Sequence, residues 1–377
     1  MLNILTIIGA RPQIIKAAAL SRAVRSQFSD SIRESILHTG QHYDENMSGV
    51  FFEELNIPRP DFRLHVGSAL QGEQTGAMIS GIEKVLIEKP ADAVVVYGDT
   101  NSTLAGAIAA SKMNIPVVHI EAGLRSFNKA MPEEINRILT DHVSTLLFTP
   151  THAGWQHLKR EGIAREKNPD KADANHPAVY LCGDIMYDNA LHFSEIAAKH
   201  SGITELHQLK SNAFILATVH RNTNTDDTTR LKDLFEAFTL VSHKLGMKII
   251  IPLHPRTAAR LKASGISVSE NHFIIIPPVS YLDMIQLEQQ AAFIMTDSGG
   301  VQKEAFFFNK PCVILRDETE WVEIVDCGAA ALAGTSPEKI VSSAEKMMHH
   351  SGQFPSLFGD GRAALFICQT MINHFAS

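Results

Sequence analysis

The feature that most constrains the fold is the alternation, along the whole chain, of short apolar segments with segments of helical pattern. Several of the apolar segments are rich in Val and Ile and are apolar nearly throughout, which is typical of strands that helices cover on both faces. Strands that alternate with helices form the βαβ pattern of a parallel sheet. The sequence therefore predicts an α/β protein with parallel sheets.

The predicted strands fall into two groups, one in each half of the chain. The first group is Asn3–Ile8, Ala93–Tyr97, Pro116–Ile120 and Leu146–Thr149. The second group is Phe214–Thr218, Lys248–Pro252, His272–Ile276, Phe293–Thr296 and Cys312–Leu315. Helical patterns occur between them, for example at Thr103–Met113 and Thr229–Lys244.

A length of 377 residues suggests two domains at roughly 150 residues per domain. Residues 163–176 are polar, lack a periodic apolar pattern and are predicted to form a surface loop. Strand–helix alternation begins again after Gly183, so we expect the domain boundary near that residue. Ligands of open parallel sheets bind beyond the carboxyl ends of the strands, and functional residues are expected there.

Composition excludes several classes of protein. The chain has 34 Lys and Arg against 41 Asp and Glu, a net charge of −7, and no basic run, so no nucleic-acid partner is expected. The apolar N-terminal segment is too short for a signal peptide, and no apolar stretch reaches about 18 residues, which predicts a soluble cytoplasmic protein without a membrane partner. The four cysteines are widely separated, which argues against a disulfide framework or a zinc site: Cys182, Cys312, Cys327 and Cys368.

In the first half, charged residues follow predicted strands. Arg11 and Lys16 follow the first strand and, with a helix N-terminus, favour an anion. Asp99 and Glu121 follow two later strands, and Glu133 lies in the first turn of a predicted helix. Each carboxylate alone could be an ordinary helix cap or a partner of the helix dipole. Because all three are expected at one edge of one sheet, together they indicate proton transfer.

In the second half, His-Arg or His-Pro-Arg follows a strand twice, at His220 and at His254 with Arg256. These are plausible diphosphate contacts, although a lone histidine is more often structural. The strongest segment is DSGGVQKE, because Ser298, Gly299 and Gly300 place backbone N–H groups at a helix start, where a phosphate fits. Glu304, about one turn later, could accept hydrogen bonds from ribose hydroxyls. The absence of GxGxxG after a strand and of GxxxxGK[ST] disfavours nicotinamide cofactors and P-loop nucleotide binding.

Taken together, nine segments resemble the non-hydrolysing UDP-N-acetylglucosamine 2-epimerase family. They are GARPQIIK, TGQHYDENM, VYGDTNSTLAGA, HIEAGLRS, MPEEINRILTD, TVHR, PLHPRT, DSGGVQKEA and KPCVILRD. The resemblance implies two Rossmann-like domains that face each other across a cleft in a glycosyltransferase-B-like architecture. It also implies that a C-terminal helix, at about 361–375, returns to the first domain, giving domains of residues 1–182 with 358–377 and of residues 183–357. Homodimers are usual in the family.

The family inverts carbon 2 of a UDP-linked 2-acetamido sugar without a metal or redox cofactor. A base removes the carbon 2 proton while UDP leaves carbon 1, and UDP adds back to the 2-acetamidoglucal after reprotonation on the other face. By resemblance, the acid/base residues are Asp99, Glu121 and Glu133, and His220 assists the departure of UDP. The remaining matches are the cationic pair Arg11 and Lys16 and the UDP-binding positions Arg256, Ser298, Gly299, Gly300 and Glu304, to which the sequence pattern adds His254.

Departures from the family pattern leave the substrate open. Ala10 and Gln13 replace residues of the common GTRPE turn, Thr223 stands where a glutamate is expected, and TEWVE (319–323) replaces TERPE. These changes resemble a branch that includes UDP-2,3-diacetamido-2,3-dideoxyglucuronate 2-epimerases. We expect UDP-N-acetylglucosamine as the substrate, with the diacetamidoglucuronate as the alternative and a hydrolysing 2-epimerase, a glycosyltransferase or a binding module less favoured. Tyr43 replaces the arginine of an allosteric QHR segment, which predicts weak or absent activation by substrate.

Overall fold

A computed structural model describes residues 1–41, 57–266, 268–350 and 354–376 of the chain. The chain forms two compact units, an N-terminal unit of Met1–Asn189 with Ser356–Ser377 and a C-terminal unit of Ala190–Pro355. The sequence predicts divisions at 182/183 and 357/358, whereas the compact units divide at 189/190 and 355/356. The roles that we assign to the two domains stay predictions.

Among the described residues, the N-terminal unit contains a parallel sheet with the strand order β3-β2-β1-β4-β5-β6-β7. Its strands are β1 (Leu2–Ile8), β2 (Ile32–His38), β3 (Phe62–Arg63), β4 (Ala93–Tyr97), β5 (Val117–Ile120), β6 (Leu146–Thr149) and β7 (Ala178–Leu181). Its helices are α1 (Arg11–Gln27), α2 (Gln71–Glu88), α3 (Asn101–Lys112), α4 (Pro132–Val143) and α5 (His152–Arg160). Helix α6 (Ile185–His200) begins in this unit and continues into the next.

The C-terminal unit contains a second parallel sheet with the order β10-β9-β8-β11-β12-β13. Its strands are β8 (Phe214–Thr218), β9 (Lys248–Pro252), β10 (Phe273–Ile276), β11 (Ile294–Thr296), β12 (Cys312–Ile314) and β13 (Ala330–Leu332). Its helices are α7 (Ile203–Leu206), α8 (Asn222–Thr225), α9 (Thr228–Leu245), α10 (Pro255–Ala263), α11 (Tyr281–Gln290), α12 (Gly299–Phe307), α13 (Val322–Asp326) and α14 (Pro337–Met348). A cluster of buried apolar side chains from the sheet and its helices forms the core of this unit.

Each sheet has one point at which the strand order changes direction. In the N-terminal unit this switch point lies between β1 and β4, and in the C-terminal unit it lies between β8 and β11. In open α/β sheets, ligands bind in the crevice outside the carboxyl ends of the strands at such a point. The turns that follow these four strands are therefore the places to examine for function.

The α/β class with parallel sheets is confirmed, and every predicted strand is present within one residue of its predicted ends. Strands β2, β3, β7 and β13 were not predicted. In β2 the polar run Arg33, Glu34 and Ser35 conceals the strand pattern. The Glu34 carboxylate accepts a hydrogen bond of 2.6 Å from Thr6 Oγ1 of the neighbouring strand, which is how β2 accommodates it. The other three are short strands at the edges of the two sheets, where part of each strand is exposed and the pattern of a fully buried strand is absent.

The C-terminal helix α15 (Ala363–Phe375) belongs to the N-terminal unit. Asp188 accepts hydrogen bonds from the first two N–H groups of this helix, those of Ala363 and Ala364. Near its other end, His374 Nε2 lies 2.7 Å from the Tyr180 hydroxyl. Phe366 packs edge-on against Phe148 of β6, so aromatic contacts and hydrogen bonds together hold the helix against this sheet. Among the described helices, none combines the length and the apolar character needed to cross a membrane.

Candidate active site

The turn after β1 is fixed by one buried side chain, that of Gln13. Its Oε1 accepts hydrogen bonds from the N–H groups of Gly9 and Ala10, and its Nε2 donates to the Tyr97 carbonyl, 3.1 Å away, at the end of β4. An amide can accept and donate in this way, whereas the carboxylate common in the family can only accept. Gln13 therefore joins the two strands at the switch point of the first sheet and is not itself exposed to a ligand.

Lys16 and Glu121 form a buried ion pair beyond the ends of β4 and β5. The Lys16 Nζ–Glu121 Oε1 distance is 2.6 Å, and the two side chains are only 10% and 9% exposed. Glu121 has a φ of +71°, a left-handed conformation that is costly for a non-glycine residue and is typical of functional sites. A Cβ atom at Gly98 would lie 3.0 Å from Lys16 Nζ, so the glycine leaves room for the pair.

Asp99, the residue after Gly98, is bonded to helix α4. Its Oδ2 lies 2.5 Å from Arg137 Nη2, and its carbonyl accepts a hydrogen bond from Asn136 Nδ2. Arg137 Nη1 also contacts Glu134 Oε2 at 3.0 Å. The structure thus brings Asp99, Lys16 and Glu121 to one edge of the first sheet, and each of the two carboxylates has a cation beside it.

Two adjacent glutamates begin helix α4 but lie in different surroundings. Glu133 is exposed, whereas Glu134 is buried and accepts hydrogen bonds from the backbone N–H groups of Ser126 and Phe127. Burial acts to raise the pKa of Glu134, but these hydrogen bonds and Arg137 outweigh it and lower the pKa. The sequence pattern selected Glu133, and the buried partner Glu134 was missed because both residues fit a helix N-terminus equally well.

A second buried network lies behind these turns and was also missed. His119 Nδ1 lies 2.7 Å from Asp141 Oδ1, and Asp141 Oδ2 lies 2.7 Å from Arg125 Nη1. Arg125 also forms a two-pronged ion pair with Glu161. His119 and Arg125 stand in the segment HIEAGLR, on either side of Glu121, and that proximity was the available signal. Asp141 lies in helix α4, 20 residues after Glu121, and only the folded structure brings it close to His119 and Arg125.

In the C-terminal unit, the turn after β8 is held by a fully buried carboxylate. Asp297, at the end of β11, accepts hydrogen bonds from the backbone N–H groups of His220 and Arg221, at 3.0 and 3.1 Å. Its Oδ2 also accepts from Asn224 Nδ2. Asp297 thereby fixes the position of His220 at the switch point of the second sheet. The aspartate belongs to the DSGG segment, but its structural role could not be deduced from the sequence.

Helix α12 begins at the same switch point. Ser298 is its N-cap, and its Oγ accepts from the Val301 N–H, so Ser298, Gly299 and Gly300 lie at the positive end of the helix dipole. A Cβ atom at Gly299 would lie 2.3 Å from Glu320 Oε1, so a side chain at this position requires Glu320 or the helix start to move. Glu304 is buried, and its Oε1 accepts a hydrogen bond from the Tyr281 hydroxyl.

The remaining predicted residues are exposed. His254 is the N-cap of helix α10, and its Nδ1 accepts from the Arg256 N–H. The Arg256 guanidinium pairs with Asp226, 3.0 Å away, on the surface of the C-terminal unit. Arg11 is exposed at the start of α1, apart from the buried Lys16 with which the sequence pattern grouped it. Tyr43 lies outside the described residues, and in the described ranges no cluster of three or more His, Cys, Asp or Glu side chains could hold a metal ion.

The chain is similar to known proteins in sequence and in fold. Residues 25–372 match the profile of the family described as UDP-N-acetylglucosamine 2-epimerase. A Pseudomonas aeruginosa UDP-2,3-diacetamido-2,3-dideoxy-D-glucuronate 2-epimerase is 47% identical over 372 residues, which cover 98% of this chain and 99% of the relative. The crystal structure of Methanocaldococcus jannaschii UDP-GlcNAc 2-epimerase, in complex with UDP-GlcNAc and UDP, matches with a TM-score of 0.85 and 41% identity, over 98% of this chain and 99% of that one.

The glycosyltransferase-B-like fold class is also confirmed. The structure of Phytolacca americana UGT2, complexed with UDP-2fluoro-glucose and pterostilbene, matches with a TM-score of 0.59. The match covers 98% of this chain and 94% of that one at 11% identity, so it shows a shared fold and carries no information about activity.

Proposed function

Because the chain belongs to the UDP-N-acetylglucosamine 2-epimerase family, we propose that it inverts carbon 2 of a UDP-linked 2-acetamido sugar without hydrolysing it. The proposed reaction eliminates UDP to give 2-acetamidoglucal, which is reprotonated on the opposite face before UDP adds back. The observation that supports this most directly is the convergence of Lys16, Glu121 and Asp99 at the switch point of the first sheet.

The N-terminal unit would supply the proton transfers. Inversion needs a base that removes the proton on one face of carbon 2 and an acid that delivers a proton on the other, and the reverse reaction exchanges these roles. The two carboxylates Asp99 and Glu121 are the candidates. Arg137 places a positive charge beside Asp99, and Lys16 places one beside Glu121. Glu133 stays a third acid/base candidate from the family resemblance, and its exposed position leaves it accessible.

The C-terminal unit would bind UDP and stabilise it as a leaving group. The proton on carbon 2 is not acidic, so a base alone is insufficient and the negative charge that develops on the diphosphate must be stabilised. The start of α12 suits an anion, because the N–H groups of Gly299 and Gly300 follow the N-cap Ser298, whose own N–H donates to Thr296 Oγ1. His220 would assist the departure of UDP, and Asp297 holds its backbone in place. The other proposed contacts are Arg11, His254 and Arg256 with phosphate and Glu304 with ribose.

Two sugar nucleotides are candidate substrates. The relative that is 47% identical is named for UDP-2,3-diacetamido-2,3-dideoxyglucuronate, and the Ala10, Gln13 and TEWVE departures point to the same branch. We therefore place that substrate first and UDP-N-acetylglucosamine second, which reverses the order that we derived from the sequence alone. Family membership supports a reaction at carbon 2. The two candidate substrates differ in their substituents on carbons 3 and 6.

The test is proton NMR of the enzyme with each sugar nucleotide in deuterated water. We expect deuterium to enter carbon 2 while an intact UDP-sugar of the other configuration accumulates. Release of UDP and a free 2-epimerised sugar would instead identify a hydrolysing enzyme. If neither sugar exchanges its carbon 2 proton, the epimerase proposal is wrong and the glycosyltransferase alternative becomes the next to test.

Two further statements about the protein rest on the family resemblance. We propose that the chain forms a homodimer, which sedimentation velocity would detect as twice the mass of about 41.4 kDa. A monomer at micromolar concentrations would contradict that expectation. We also keep the cytoplasmic location as a proposal, which fractionation of cells that express a tagged chain would test.

A further inference from the structure

His119 connects the two carboxylate-bearing turns of the N-terminal unit. It lies on β5, two residues before Glu121, and its ring is completely buried. Its Nε2 lies 2.8 Å from the carbonyl oxygen of Gly98, the residue before Asp99. Because a carbonyl oxygen can only accept a hydrogen bond, Nε2 must carry a proton and donate it.

Asp141 completes the connection from helix α4. Its Oδ1 lies 2.7 Å from His119 Nδ1, while its Oδ2 accepts hydrogen bonds from the Gly123 N–H at 3.2 Å and from Arg125 Nη1 at 2.7 Å. Burial acts to raise the pKa of Asp141, but His119 and Arg125 outweigh it and lower the pKa. Asp141 thus contacts His119 Nδ1 through one oxygen, and Arg125 supplies a positive charge at its other oxygen.

We propose that Asp141 and His119 are positioning residues that fix the directions in which Asp99 and Glu121 present their carboxylates. This inference rests on the proposed epimerase function. Through His119, Asp141 holds the carbonyl that precedes Asp99, and it directly holds the N–H two residues after Glu121. A single side chain of α4 therefore sets both turns at once. Glu121 needs such support, because its left-handed backbone persists only where its surroundings determine it.

The expected functional consequence is specific to the 2-acetamidoglucal intermediate. After UDP has left, the intermediate is either reprotonated and recombined with UDP or lost to solvent. A displaced carboxylate slows reprotonation, since a shift of about 1 Å can cost about 100-fold in rate, while escape from the site is not slowed. A substitution of Asp141 or His119 should therefore raise the ratio of released glucal to epimerised product. Simple loss of folded enzyme would lower both products in proportion and leave that ratio unchanged.

The experiment compares Asp141→Asn with Glu161→Gln. Both substitutions remove one negative charge bonded to Arg125, but Glu161 has no contact with His119 or Gly123 among the contacts described above, and its side chain is 28% exposed. We expect Asp141→Asn to lower turnover about 100-fold, to leave the Kd for UDP within about 2-fold and to raise the ratio of glucal to epimer at least about 10-fold. Glu161→Gln should resemble the wild type in all three measurements.

The outcomes separate this inference from the proposed function. If the wild type exchanges no carbon 2 proton, the epimerase proposal fails. If the wild type epimerises and Asp141→Asn keeps its product ratio, the positioning role is wrong, whatever happens to turnover. Should Asp141→Asn not fold, His119→Asn serves in its place, because asparagine can keep a donor near Asp141 but lacks the Nε2 that reaches Gly98. The same rise in the product ratio is expected, and an unchanged ratio would overturn the inference.

Discussion

The two switch points of this protein are built in opposite ways. At the first, the candidate carboxylates Glu121 and Asp99 are each bonded to a side-chain cation, Lys16 or Arg137. At the second, the buried carboxylate of Asp297 is bonded to backbone N–H groups and holds the turn that carries His220. The first region thus depends on the charge of a few side chains and the second on the path of the backbone. Loss of a charge should therefore lower turnover most in the first region, whereas substitutions in the second region should act by moving the backbone.

The largest effect is expected from Glu121→Gln, which removes a charge and almost no volume. Turnover should fall about 1,000-fold, because general acid–base groups contribute about 10² to 10⁴-fold to rate. Affinity for UDP, measured by calorimetry, should change little, since Glu121 is not among the proposed UDP contacts. Near-normal turnover would contradict the acid/base assignment. Thermal unfolding should also occur at a lower temperature, because Lys16 stays buried without its partner.

The adjacent residues Glu133 and Glu134 allow an effect on turnover to be separated from an effect on stability within one helical turn. Glu133→Gln should lower turnover about 100-fold and leave the free energy of unfolding unchanged, because its side chain is exposed. Glu134→Gln should lower the free energy of unfolding by about 1–2 kcal/mol, because the carboxylate bonds Ser126, Phe127 and Arg137. Urea unfolding and initial rates measure the two effects. If Glu133→Gln retains full turnover, only the buried glutamate of the pair matters.

At the second switch point, Asp297→Asn should act through the backbone. The new amide turns a donor toward the N–H groups of His220 and Arg221, so the free energy of unfolding should fall by about 2 kcal/mol. The Kd for UDP should rise about 10-fold as the turn that carries His220 moves. Asp317→Asn is the control, because Asp317 is largely exposed in its pair with Arg230 and should change stability by less than about 0.5 kcal/mol. Equal effects of the two substitutions would show that the turn does not depend on Asp297.

The smallest effect is expected from adding one methyl group at the start of α12. In Gly299→Ala the new Cβ would lie 2.3 Å from Glu320 Oε1, and Glu320 is held by Arg316 at 2.9 Å. Relief of that overlap should shift the helix start at a cost of about 1 kcal/mol, which raises the Kd for UDP about 5-fold. Gly300→Ala is the matched control, since its nearest neighbour, Ser298 Oγ, would be 3.8 Å away. A larger loss of affinity in Gly300→Ala would place the phosphate contact at that residue instead.

The sequence was sufficient for the class of fold and for most of the strands, because buried parallel strands are long apolar runs that stand out from their surroundings. It also located the turns that follow those strands, where Asp99, Glu121 and Asp297 lie. It could not show which cation pairs with which carboxylate. Lys16 was grouped with Arg11 as a site for an anion, whereas the fold brings its ammonium group to Glu121, 105 residues away.

The residues that were missed share one property, which is that their partners are distant in sequence. Glu134 and Glu133 are equally good first-turn residues, and only the approach of the 126–127 backbone makes one of them buried. Asp141 reads as an ordinary helix residue until β5 places His119 beside it. Local patterns determine strands, helices and turns, whereas a buried hydrogen-bond network depends on how those elements pack.

The position of helix α15 has a consequence for the order in which the chain is completed during synthesis. The residues of the N-terminal sheet are made first, but the helix that covers Phe148 and Tyr180 follows only after the entire C-terminal unit. At ribosomal rates of about 5–20 residues per second, the interval is roughly 10 to 40 s. While the C-terminal unit is being made, the nascent N-terminal sheet carries an uncovered aromatic surface. By the time α15 is added, the C-terminal unit has all of its described strands. The second half of this chain can therefore finish folding on the ribosome before the first.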